Sequence, residues 1–218
     1  MVSEKVPGLI READQKQDKG DFSGALSIYD RALKLAPDDP VAWNNRGVAL
    51  SSLGRYEEAI RSYERAHELR PGYWMAWFNL GKAYYRTKRL EEAIGCFDRS
   101  LELHPDHPSA LNNKAVALKE LGMLEEAMVT YDILLAADPL YHMGWENKGH
   151  LLAQMGIQDE ARLCFEMALM INPRTSPKPM EGKRARRRPP RKAPARKLTE
   201  EEMAREPDVS EDEKKDGA

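Results

Sequence analysis

A pattern that returns every 34 residues leaves this chain few ways to fold. Counting Pro40 as position 1, Trp43 stands at 4, Gly47 at 8, Leu50 at 11, Gly54 at 15, Tyr56 at 17, Ala59 at 20, Tyr63 at 24, Ala66 at 27 and Pro71 at 32. Shifting by 34 gives Trp77, Gly81, Tyr84, Leu90, Ala93, Phe97, Ser100 and Pro105, then Leu111, Ala115, Leu118, Gly122, Leu124, Ala127, Tyr131, Leu134 and Pro139. A further shift gives Trp145, Gly149, Leu152, Gly156, Ala161, Phe165, Ala168 and Pro173, and the backward shift gives Leu9, Ala13, Gly20, Phe22, Ala25, Tyr29, Ala32 and Pro37. Five units result, at 6–39, 40–73, 74–107, 108–141 and 142–173. Large residues at 4, 11, 17 and 24 facing small ones at 8, 20 and 27 let helices approach to roughly 8–10 Å. One such hairpin cannot bury its own faces, so each unit requires its neighbours.

The Trp-x2-Leu-Gly-x2-Tyr, Ala-x3-Phe and Pro signature resembles the tetratricopeptide repeat. The resemblance runs from Val6 to Pro173 without insertion. It implies an all-α solenoid of antiparallel helix pairs, wound into a right-handed superhelix whose inner face binds a peptide or another protein.

Composition and spacing set the surroundings. At 41% hydrophobic and 32% charged, 218 residues hold one sizeable core, ribbon-shaped in a solenoid. Met1–Ile10 shows neither a basic flank with an apolar stretch nor a cleavage site, and apolar runs are short. The expectation is a soluble cytoplasmic protein, or a nuclear one in a nucleated cell, with no membrane insertion. Cys96 and Cys164 both occupy position 23, two units apart, which puts them roughly 20 Å from each other at about 10 Å per layer. A disulfide needs Cα atoms within about 7 Å, so both read as structural thiols.

The first unit reads as a cap, with Glu12 and Lys16 where inner units favour apolar residues. Asp39-Pro40 and His107-Pro108 place a proline at the first helical position. Glu57-Glu58, Glu91-Glu92, Glu125-Glu126 and Asp159-Glu160 favour the start of each second helix.

The resemblance implies a groove lined from positions 2, 5, 6, 9, 12 and 13 of each first helix. Position 6 holds Asn45, Asn79, Asn113 and Asn147. A carboxamide both donates and accepts, which suits contact with the backbone of an extended peptide; local hydrogen bonding is the alternative role. In the third unit Phe78, Lys82, Tyr85 and Arg86 share one face, joining aromatic anchors to two cations, although both rings also suit packing between repeats. His150 falls in the groove as well. At position 7, Arg46, Lys114 and Lys148 replace the family leucine, with stems free to cover the packing while the charged heads reach outward.

Co-chaperones of this family that clamp a C-terminal carboxylate place lysine at 5 and asparagine at 9 in one unit. Here those places hold Ile10 and Asp14, Asn44 and Val48, or Phe78 and Lys82, so carboxylate-clamp chaperone binding is not expected.

On the other side, positions 22, 26 and 29 of the second helix are mostly polar in the first three units but become Val129, Ile133 and Ala136, then Leu163, Met167 and Met170. Val129, Ile133, Leu163, Met167 and Met170 are the candidate surface for a partner or a homodimer, with burial under the chain's own C-terminal segment as the competing account.

Past Pro173 the repeat stops. Residues 174–197 carry 11 basic residues against one acidic and five prolines, and read as disordered. Lys183, Arg184, Arg186, Arg187, Arg188, Arg191 and Lys192 form a candidate polyanion-binding or nuclear-targeting segment, without aromatic residues for base stacking. Residues 198–218 carry 9 acidic residues against 3 basic, and Thr199 with Glu202 suits a short helix cap. No phosphate loop, Cys-x-x-Cys or His-Glu-x-x-His occurs, and the five histidines show no ligand spacing; His104, His107 and His142 read as an incidental loop group. The expectation is a noncatalytic interaction scaffold with no cofactor and no metal. The alternative is a nucleic-acid-associated adaptor whose tail binds polyanions while the solenoid recruits partners.

Overall fold

A computed structural model describes residues 5–173. They form ten helices and no strand: α1 (Lys5–Asp18), α2 (Phe22–Leu35), α3 (Pro40–Ser52), α4 (Tyr56–Leu69), α5 (Trp74–Arg86), α6 (Leu90–Leu103), α7 (Pro108–Glu120), α8 (Leu124–Ala137), α9 (His142–Gln154) and α10 (Gln158–Ile171). None of these helices is long and apolar enough to cross a membrane. The expectations for the segments at 174–197 and 198–218, including the Thr199 cap, lie outside the described residues.

Within each repeat a first helix, of 13 or 14 residues, packs on a second of 14. The turn between them needs one residue with positive φ, at position 15. Glycine fills it at Gly20, Gly54, Gly122 and Gly156, with φ between 76° and 83°, while the third repeat puts Lys88 there at φ 63°.

The turns between repeats are closed by their own chemistry. Asp39 accepts from the backbone N–H groups of Val41 and Ala42, and His107 Nδ1 accepts from that of Ala110, beside Pro40 and Pro108 at the helix starts. The indole N–H groups of Trp43, Trp77 and Trp145 donate to the carbonyls of Pro37, Pro71 and Pro139, at 2.7, 3.2 and 2.9 Å. Each tryptophan thus ties its helix to the turn that ended the previous repeat.

The core follows the size pattern. Tyr29, Tyr63, Phe97 and Tyr131 are buried, each worth roughly 1.5–3 kcal/mol of transfer free energy for its apolar body. A Cβ added to Gly47, Gly81 or Gly149 would lie 2.5–2.7 Å from the ring of Tyr63, Phe97 or Phe165. Position 8 is small because position 24 occupies that space. Cys96 and Cys164 are buried free thiols, and burial pushes Cys96 up to about 12, which keeps it protonated and unreactive.

Stacking is asymmetric. Each first helix packs on the first helix of the next repeat (α1 on α3, α3 on α5, α5 on α7, α7 on α9), whereas no two second helices pack together among the described elements. First helices therefore lie on the short inner arc and second helices on the long outer one, which makes the surface of α1, α3, α5, α7 and α9 the concave one.

Candidate ligand-binding groove

The four position-6 asparagines lie on the concave helices, but their amide donors are engaged. Asn79 Nδ2 donates to Asn44 Oδ1 at 3.0 Å and Asn147 Nδ2 to Asn112 Oδ1 at 2.9 Å, each a bond from one repeat to the one before. Asn45 Nδ2 reaches back to Asp14 at 3.1 Å and its own Oδ1 accepts from Asn44. Asn113 differs. The acceptor it would need, at position 5 of the third repeat, is Phe78, so Asn113 Nδ2 turns to the Ser109 carbonyl of its own helix at 2.8 Å. Three of the four amides thus bond back to the preceding repeat and Asn113 bonds within its own helix, while Asn79 Nδ2 has a second N–H with no acceptor among the described residues.

Around them the third repeat brings aromatic and cationic side chains together. Lys82 Nζ lies 5.3 Å from the centre of the Phe78 ring, on the same face of α5. Phe78 is half-buried and packs toward Phe97 and edge-on to His107, at centroid distances of 6.1 and 4.8 Å, so its ring both builds the wall and faces the hollow. Tyr85 donates its hydroxyl to Glu120 on α7, which also holds Lys88 at 2.8 Å. Burial and that carboxylate push the Tyr85 phenol up to about 12. Arg86 and His150 are exposed; the His150 ring meets Phe165 edge-on at 5.0 Å. A cleft of about 260 Å³ lies between α3 and α5, lined by Val48, Ser51, Asn79, Lys82, Ala83 and Arg86 among others.

The position-7 cations do more than cover packing. Arg46 pairs with Asp30 at 2.7 Å, Lys114 with Asp98 at 2.6 Å and Lys148 with Asp132 at 2.6 Å, in each case reaching position 25 of the preceding second helix. Where Leu80 interrupts the series, Glu64 at position 25 accepts from Tyr84 instead. The signal was present as an acid 16 residues before each position-7 cation, and was missed because a period-based reading compares like positions with like.

His104 and His107 serve packing at the turn between the third and fourth repeats. Both rings pack on Trp74, at 4.9 and 4.8 Å, and on each other edge-on at 5.6 Å. Burial, and then the neighbouring His104, hold His107 below the ordinary histidine range. No cluster of three or more His, Cys, Asp or Glu side chains suited to a metal ion occurs among the described residues.

The outward stripe of the last two repeats is as apolar as its sequence: Val129, Ile133, Leu163, Met167 and Met170 are 57, 53, 55, 37 and 76% exposed.

Family models described as tetratricopeptide repeat match residues 10–73, 49–108, 96–128 and 144–175. Together with ten helices in five stacked pairs, these matches place the chain in the tetratricopeptide repeat family. It is 48% identical over 40 residues to the TPR repeat-containing thioredoxin TTL4 of Arabidopsis thaliana, which is 18% of this chain and 6% of that one. It is 46% identical over 41 residues to an uncharacterized protein of Methanocaldococcus jannaschii, 19% of this chain and 48% of that one. The matches thus span under half the length of these curated relatives.

Among solved structures, MamA superposes with a TM-score of 0.69 at 24% identity, over 74% of this chain and 95% of the other. MamA from Desulfovibrio magneticus gives 0.74 at 18%, over 81 and 100%. YrrB, described as a TPR protein with an unusual peptide-binding site, gives 0.64 at 23%, over 76 and 85%. At these identities the likeness is one of fold.

Proposed function

We propose that the protein is a noncatalytic scaffold that binds an extended segment of another protein along the concave surface of α3, α5, α7 and α9. The observation that carries this reading is the cleft between α3 and α5, where Asn79 has a second N–H beside Lys82 and Arg86, with the Phe78 ring next to it under Lys82. Aromatic and arginine anchors next to backbone-matching amides are what an extended peptide requires. YrrB, a neighbour in fold, is described as having a peptide-binding site, which is in keeping with that use of the fold. The engaged amides shift the weight of recognition from the four position-6 asparagines to the third repeat, with His150 on α9 at the far end. In this reading there is no cofactor, and the protein works in the cytoplasm.

The test is affinity capture with the full chain and its Phe78→Ala, Asn79→Ala and Ile133→Glu variants, followed by direct binding of whatever segment is retained. Loss on the two groove substitutions with retention on Ile133→Glu supports the groove. Equal retention by all variants overturns it.

The stripe formed by Val129, Ile133, Leu163, Met167 and Met170 is, in the same reading, a contact for a second copy of the chain, motivated by its exposed apolar area. Light scattering on wild type and on Ile133→Glu/Met167→Glu decides it, and a monomer in both excludes self-association. The cationic segment at 174–197 favours a second reading, a nucleic-acid-associated adaptor. Deleting residues 174–218 then abolishes polyanion binding and leaves peptide binding intact.

A further inference from the structure

The concave face of α5 holds charge that the rest of the solenoid leaves unbalanced. Neighbouring cations are taken: Arg46 by Asp30, Lys88 by Glu120, Arg89 by Glu92 and Lys114 by Asp98. Lys82 and Arg86, one helical turn apart, have no acidic partner among the described residues, and the contact found for Lys82 is the face of Phe78 at 5.3 Å. Both line the cleft with Asn79 and Ser51, and Val48 and Ala83 supply its apolar wall. Two carboxylates of the concave helices are already used, Asp14 by Tyr29 and Asn45 and Glu120 by Tyr85 and Lys88.

Two like charges on adjacent turns repel, by a few tenths of a kcal/mol on an exposed helix and more where water is partly excluded. Partial burial and the charge of Arg86 pull Lys82 below the ordinary lysine range, a cost an anion placed between the two would reverse. Such a pair in a solvent-open cleft suits a ligand that brings its own negative charge.

Resting on the groove reading above, we infer that the α3–α5 cleft is a carboxylate subsite. It takes an aspartate or glutamate side chain of an acidic peptide, held between Lys82 Nζ and the Arg86 guanidinium. The free N–H of Asn79 is a third donor, and Val48 and Ala83 pack on the methylenes of the incoming side chain. An arginine and a lysine divide the work: the planar fork fixes the orientation of the carboxylate and the ammonium adds a point charge.

The experiment uses the full chain and three fluorescent dodecapeptides. The first has acetylated and amidated ends and alternates Glu with Leu; the second is the same with Gln for Glu; the third is the Gln peptide with a free C-terminal carboxylate. The expected result is binding of the Glu peptide at least tenfold tighter than of the capped Gln peptide at low salt, with the gap closing in 0.5 M salt. Lys82→Gln/Arg86→Gln removes that gap, by bringing the affinity for the Glu peptide down to that for the Gln peptide. Because this variant keeps the basic segment at 174–197, a gap that survives it arises outside the cleft and overturns the subsite. Preference for the third peptide over the first also overturns it, by showing that a chain end and not a side chain is bound. If the capped Glu and Gln peptides bind equally and shift the amide resonances of α3 and α5, the subsite fails while the groove stands. If neither binds, or the shifts fall on the second helices, both fail. Circular dichroism of the double variant, together with an unchanged urea-unfolding midpoint, separates lost charge from lost fold.

Discussion

Asn147 on α9 donates to Asn112 on α7 across 35 residues of sequence, at 2.9 Å, and Asn79 on α5 makes the same bond to Asn44 on α3 at 3.0 Å. Asn44 and Asn112 are both buried. Replacing either by alanine strands a donor at a repeat junction and is expected to cost about 1–2 kcal/mol. Asn113→Ala, whose bond stays within its own helix, is expected to cost less than half as much. Urea titration of the three variants checks the order, and equal losses would mean that the amides do not staple the repeats.

The ion pairs between positions 7 and 25 should behave as couplings. Lys148 is about one-fifth exposed and Asp132 more than half, so the pair is expected to contribute only about 0.5–1 kcal/mol. A double-mutant cycle with Lys148→Met and Asp132→Ala isolates that figure, and it should shrink in high salt.

At Lys88 the backbone conformation and the side-chain contacts pull in opposite directions. Its positive φ costs roughly 1 kcal/mol relative to glycine, while its ammonium pairs with Glu120. Lys88→Ala keeps the strain and loses the pair, and Lys88→Gly loses both. The glycine variant is therefore expected to be more stable than the alanine variant by about 1 kcal/mol in thermal or urea unfolding. Equal stabilities would show that the turn relaxes.

Gly81→Ala is expected to destabilise by about 1–3 kcal/mol. The new methyl would sit 2.7 Å from Phe97 and 3.1 Å from the carbonyl oxygen of Ala93, and the latter is backbone that cannot rotate away. Phe97→Leu in the same chain should recover part of the loss when measured against Phe97→Leu alone.

Stability should fall on mild acidification. His107 and His67 are both held below the ordinary value of 6.5, chiefly by burial. Between that value and their lower folded values the unfolded chain binds more protons, so the stability they contribute is complete above about pH 6.5 and drains away as the pH falls. His107→Asn keeps a capping side chain on α7 and should flatten part of this slope in unfolding curves from pH 7.5 to 5. His67→Gln should flatten the rest.

Which helix carries each candidate groove residue was legible in the sequence. The period told which helix of each pair carries Asn79, Lys82 and Arg86, because residues three, four and seven apart share a helix face whatever surrounds them. What the asparagines bond to was not legible. Asn79 and Asn113 occupy equivalent places in their units, yet one reaches Asn44 in the preceding repeat and the other its own helix, and the cause is Phe78, a residue from a different unit.

The sequence by itself determined the repeat, the helix pairs, the small-against-large contact of Gly47 with Tyr63, and the left-handed turn at Gly54, since each is settled within one stretch of about 34 residues by local sterics. Only the tertiary structure decided which polar groups are consumed in holding repeats together and which are left without a partner among the described residues. A hydrogen bond or ion pair between repeats depends on two residues whose separation is bridged only once the helices have stacked. Arg46 is taken up by Asp30 in that way, whereas Lys82 and Arg86 meet no such acid among the described residues and line the cleft.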